Sequence, residues 1–276
     1  MKPVSNQEAS EEIRALYSAL CKALGVPQVP LFFAYLANYP LYFTTVVPEL
    51  LENFKDPRFH ELSSSIGDEL SNRMKEYVPK NKEIEEWLNR HQYSPSMYHT
   101  RISLRHVHEI NTALAFVFLA LREAVKGWAI AAPKLEAEHS PQADHEVKLE
   151  NKNEDFIYQE IENIPNVANK VESSTSILQS QQAGMEQNLY IEYLHLCENW
   201  FTLELKKEEY LYFRVISEEA ILLGLDNLPH PVFSPINRVI QLAPGHKDYM
   251  DLCFLLSEHF PTIAVQRLLF SGYMRF

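Results

Sequence analysis

ALAFVFLAL, residues 113–121, is the longest apolar run in the chain. It is about half the ~20 residues that a bilayer span needs. It therefore reads as the centre of a buried helix. The helix predicted around it runs from about Ser96 to Ile130, with its most apolar part after Asn111. Gly is scarce, at 7 residues, against 16 Pro, which disfavours a sheet with many tight turns. The expected fold class is all-α.

Helical periodicity continues towards the N-terminus. Ile13, Leu16, Tyr17, Leu20 and Leu24 share one face. Ser10 is a plausible N-cap, Glu11 and Glu12 suit a first turn, and Gly25 ends the segment before Pro27 and Pro30. Leu31 to Phe54 predicts two shorter helices that meet at a bend near Pro40, with Pro48 as a further interruption. Asp56-Pro57 opens the next helix as N-cap and first residue. Its buried stripe is Phe59, Leu62, Ile66, Leu70, Met74 and Tyr77. A short helix is expected near residues 83–89.

The 276 residues suit one large domain or two small ones, and 46% hydrophobic residues give a sizeable core. The formal net charge of −12 argues against nucleic acid and against an anionic membrane surface as partners. A small anionic ligand remains compatible, because a local field can oppose the net charge. No signal-peptide apolar region opens the chain. Cys21, Cys197 and Cys253 are odd in number and widely spaced, so reduced thiols in a cytoplasmic protein are expected. Homodimer assembly is left open by the sequence.

From Ala132 to about Asp155 the chain is polar and lacks aromatic residues, which reads as a linker. The expected organisation is a helical region over 1–131, the linker over 132–155, and a second helical region over 156–276. Within the last, 156–161 reads as a short helix and 171–187 as polar chain. Apolar density returns at Leu189. Setting Leu31 against Leu189 without gaps pairs Phe32 with Tyr190, Tyr35 with Tyr193, Leu36 with Leu194, Tyr42 with Trp200, Phe43 with Phe201 and Thr44 with Thr202. Either the two regions are related repeats or two aromatic amphipathic helices match by chance.

His106 and His108 are two apart, so on a helix they point to different sides and do not readily share a metal. Glu192 and His195 have the E-x-x-H spacing of di-metal bundles, but the second pair that such a site requires is missing. No metal and no cofactor is expected, and no phosphate loop, nucleophile elbow or C-x-x-C occurs. Asn111 lies just before the apolar run. It is either a polar group facing a site in the core or an edge residue in water. Phe32, Phe33 and Tyr35 belong to an aromatic stripe that lines a pocket or simply fills the core.

Glu-Glu-Ile-Arg-Ala-Leu-Tyr (11–17), Leu-Gly-Val-Pro-Gln-Val-Pro (24–30) and Leu-Ala-Asn-Tyr-Pro (36–40) resemble the first repeat of the group I 2-haloacid dehalogenase family. The resemblance spans about residues 8–65. It implies an all-helical protein of two tandem repeats, packed as an intramolecular pseudo-dimer with the site between them. It also implies a small carboxylate substrate. The implied reaction is attack by water on the carbon–halogen bond of a 2-haloalkanoic acid with inversion, on either enantiomer, with an aspartate of the second repeat expected to activate the water. That aspartate lies in an Asp-Tyr-Arg-x-Leu stretch, whose nearest match here is Glu192-Tyr193-Leu194-His195-Leu196. In that register Glu192 is the base. In the gapless register Tyr190 stands near the base position and the base is lost. Leu194 replaces the family's Arg, and the following Trp-Pro is absent. The resemblance assigns Asn111 to the family's active-site Asn, which would orient water or substrate; Phe32, Phe33, Tyr35, Tyr190 and Tyr193 are the expected pocket residues.

Overall fold

A computed structural model describes residues 1–127, 184–243 and 245–276. The linker over 132–155, the helix expected over 156–161 and most of the polar stretch after 171 lie outside the described residues.

Among the described residues the chain is helical and contains no strand: α1 Glu11–Leu24, α2 Leu31–Leu36, α3 Pro40–Lys55, α4 Pro57–Tyr77, α5 Lys82–His91, α6 Pro95–Val125, α7 Gly184–Glu204, α8 Glu208–Gly224, α9 Ile236–Leu242, α10 His246–Phe254 and α11 Phe260–Met274. No described helix is long and apolar enough to cross a membrane.

The local signals act as their chemistry dictates. Ser10 Oγ accepts from Ile13 N–H, and Gly25 closes α1 at φ 67°, where a side chain would be strained. Pro40 opens α3 after the short break at 37–39. Asp56 caps α4 by accepting from Arg58 N–H at 2.9 Å. Pro48 does not interrupt the chain, because α3 runs through it. Val46, Val47, Leu50 and Leu51 are buried on both sides of it, and that burial outweighs the backbone bond a proline removes.

α6 is the axis of the molecule. Every residue from Ala113 to Leu121 is at most 4% exposed. A helix apolar on all sides must be sheathed on all sides, and α11 provides the largest contact. Phe118 of α6 meets Phe260 of α11 at 5.3 Å between ring centroids. His108 of α6 meets Ser271 of α11 at 3.0 Å. The two helices therefore run antiparallel.

α4 approaches the same junction through glycine. A Cβ on Gly67 would lie 2.7 Å from Thr112 Oγ1, and one on Gly272 would lie 3.3 Å from His108 Cε1. His108 links the three helices. The Gly67 carbonyl only accepts, so Nε2 donates to it at 2.9 Å and Nδ1 is left to accept from Ser271. Burial pushes the His108 pKa down to about 4.

α11 continues from α10 through a π-helical stretch, Leu255–His259. Pro261 follows, lacks an N–H, and would clash with a carbonyl in regular α geometry; the wider turn relieves that clash. At the far end, side chains satisfy the last carbonyls. Tyr193 Oη donates to Met274 O at 2.7 Å and Lys80 Nζ to Arg275 O at 2.6 Å. The first and last thirds of the chain are also joined at α3. Asn53 brackets the backbone of His230, and Arg238 forks onto Glu49 at 2.6 and 3.0 Å.

Two outcomes follow from this junction. Gly67→Ala is expected to lower unfolding stability by about 1–3 kcal/mol. Adding Thr112→Ala should return part of the loss, because the two changes share one contact. Strict additivity in denaturant melts would show that the contact is not tight. The second outcome concerns pH. The folded-state pKa of His108, about 4, lies below its unfolded value of 6.5, so the unfolded chain binds the extra proton between those values. Stability is full above pH 6.5, falls as pH drops towards 4, and loses at most about 3 kcal/mol through this group. His108→Gln should be less stable at pH 7 but show a shallower slope between pH 6.5 and 4. An unchanged slope would remove His108 from the acid response.

Candidate functional site

The antiparallel register of α6 and α11 brings two polar side chains to one level in the core. Asn111 lies two turns before Phe118 on α6, and Arg267 two turns after Phe260 on α11. A helix drifts only ~20° over that distance, so each residue shares the inward stripe of its phenylalanine. The Phe118–Phe260 contact and the His108–Ser271 contact bracket the pair from either end. Asn111 is 2% exposed and Arg267 9%.

Phe32 packs against both helices on the Phe118–Phe260 side of the pair. Its ring lies 4.7 Å from Phe118 and 5.6 Å from Phe260, and the Arg267 guanidinium sits over its face at 5.5 Å. Phe33 packs behind, against Phe118 at 5.6 Å and Phe54 at 6.3 Å. The short helix α2, opened by Pro30 and closed before Pro40, delivers both rings to α6. His259 is half-buried against Phe260 at 6.0 Å, and burial holds its pKa below the ordinary value.

The polar chemistry of this region is one-sided. Asn111 Nδ2 and Arg267 Nε and Nη2 have no hydrogen-bond partner among the described residues. All three are donors. No Asp or Glu among the described residues is buried. Buried donors without acceptors are costly and rare, and they suit a ligand that brings the acceptors.

The residues expected from sequence are distributed unevenly around this point. Asn111 is buried on α6 level with Arg267, Phe32 lies under the Arg267 guanidinium, and Phe33 packs on the same Phe118 ring. Tyr35 is half-buried at the edge of the core. Tyr193 is buried elsewhere, at the end of α11, stacked on Trp87 at 5.1 Å and edge-on to Phe276 at 5.3 Å. Tyr190 is 4% exposed on the same buried face of α7. Glu192 lies on the exposed face of that helix. His195 is also exposed, with Glu198 3.6 Å away, and no metal-holding cluster forms among the described residues. His106 and His108 diverge as their spacing requires: His106 reaches towards Gly25, and His108 enters the core. Sequence reasoning missed Arg267, although its isolation in the apolar segment after Phe260 was a usable signal.

Comparison with solved structures gives full-length likeness. A D-2-haloacid dehalogenase in complex with L-LA superposes with a TM-score of 0.69 at 16% identity, covering 99% of this chain and 95% of that one. The chain shares its fold with the D-2-haloacid dehalogenases. A mutant of such a dehalogenase matches at 0.68 and 16%, and a mutant in complex with D-2-CPA at 0.69 and 16%; each comparison covers 99% of this chain and 94% of the other. No family model matches the sequence, and no curated protein does.

An unpartnered amide in the core lowers stability without a ligand. Asn111→Leu is therefore expected to unfold within about 1 kcal/mol of the wild type, or to be more stable. A loss above about 2 kcal/mol in denaturant melts would mean that the amide is satisfied in the free protein.

Proposed function

We propose that this protein is dehalogenase-like and binds a small 2-haloalkanoic acid or a close carboxylate analogue in the core between α6 and α11. The observation that carries the reading is the unpartnered Asn111 amide, buried on the helix that carries Phe118 into an aromatic cluster, in a fold shared with D-2-haloacid dehalogenases. The rings offer an apolar surface to the carbon chain and the halogen, while the amide offers a donor to an oxygen or to the halide.

Membership of the group I family and its tandem-repeat pseudo-dimer are part of the same proposal. They are supported by the motifs over 11–40 and by a shared pattern of burial. Phe32 and Tyr190, Leu36 and Leu194, and Phe43 and Phe201 are each buried pairs. Thr44 and Thr202 each return a hydroxyl to the carbonyl four residues back, at 2.9 and 2.8 Å. This register sets Tyr190, not Glu192, opposite Phe32. With Glu192 exposed and no described carboxylate buried, binding is the stronger reading.

Hydrolysis of the carbon–halogen bond is the second reading, favoured by the fold. Attack by water needs a base. His259, half-buried next to Phe260 and stacked on the exposed Phe254, is one candidate for that base.

Calorimetric titration with D- and L-2-chloropropionate, run beside a halide-release assay, tests both readings. Saturable binding without chloride release is the expected result, with Glu192→Gln behaving as the wild type. Release from either enantiomer would establish the hydrolase, and loss of that release in Glu192→Gln would restore Glu192 as the base. Absence of both binding and release would reject the proposal.

A further inference from the structure

The Arg267 side chain leaves Nε and Nη2 without a hydrogen-bond partner among the described residues, yet the residue is nine-tenths buried. A guanidinium is a permanent cation, and burying one without a counter-charge is strongly unfavourable. Phe32 answers only part of that demand, through a ring face 5.5 Å from the guanidinium carbon. The edge is left over. The two unpartnered nitrogens, Nε and Nη2, lie on one side of the guanidinium and point their N–H bonds in parallel. That edge matches the two oxygens of a single carboxylate.

We infer that Arg267 is the carboxylate-binding residue of this site and that the ligand is a monocarboxylate with a short apolar tail. The inference rests on the proposed function and narrows it. The ligand's two oxygens accept from Arg267 Nε and Nη2. The tail lies against Phe32, Phe118 and Phe260. No described carboxylate is buried to compete for the cation. The aromatic lining disfavours a strongly hydrated dianion such as phosphate.

The test uses the full-length chain and calorimetric titration with propionate, 2-chloropropionate, 2-chloropropionamide and inorganic phosphate. Wild type should bind both acids and prefer each by at least about tenfold over the neutral amide. Phosphate should not compete. Arg267→Met keeps the length and packing of the side chain and should lose at least about tenfold in propionate affinity. Arg267→Lys keeps the charge without the fork and should recover only part of that loss.

Equal binding of acid and amide by the wild type would overturn the inference, and that comparison stands even if a variant does not fold. Undiminished propionate binding by Arg267→Met would overturn it, as would phosphate binding without carboxylate binding, or no binding at all. The halogen separates this inference from the broader reading. Arg267-dependent binding of propionate with no gain for 2-chloropropionate supports the carboxylate site and removes the haloacid. Binding of 2-chloropropionate that ignores Arg267 does the reverse.

Discussion

The fold depends on covering α6. From Ala113 to Leu121 this helix shows essentially no surface to solvent, so its neighbours must close around the whole circumference. α11 does this along the length, α2 and α4 add their aromatic and glycine faces, and α8 reaches it through the ion pair of Arg122 with Glu218 at 3.1 Å. Close approach requires small residues where backbones meet. Gly67 and Gly272 supply them around His108, and Gly224 faces Ile66 and Phe116 with no room for a Cβ.

That geometry explains why polar groups in the core behave in two ways. His108 donates to the Gly67 carbonyl and accepts from Ser271, and Thr112 donates to the His108 carbonyl, so this cluster sets the register of α6 against α11. One to two turns away, Asn111 and Arg267 hold donors without acceptors. The satisfied cluster fixes the unsatisfied one in place. An arrangement of this kind is unfavourable for stability alone, because the donors are buried without acceptors.

Much of the fold was legible from local chemistry. Ser10, Gly25, Pro40 and Asp56 mark helix ends because each answers a backbone group or a dihedral that only a few residue types can serve. The apolar run of α6 revealed its burial because no amphipathic alternative fits it. Pro48 misled, since its local cost is outweighed by long-range packing that periodicity does not report. The register of α7 was ambiguous for a similar reason. Leu189, Tyr190, Ile191, Tyr193, Leu194, Leu196 and Cys197 are apolar around most of the helix, so the pattern alone does not choose between Tyr190 and Glu192 as the inward residue. The structure buries Tyr190 and exposes Glu192. Arg267 was overlooked because one charge in an apolar segment resembles a helix edge until the facing helix is known.

The most direct test is side-chain nitrogen NMR of the Arg267 Nε–H and Asn111 Nδ2–H₂ resonances during titration with 2-chloropropionate. Joint, saturable shifts of both signals with a single dissociation constant are predicted. Binding that leaves both resonances unmoved would contradict the account.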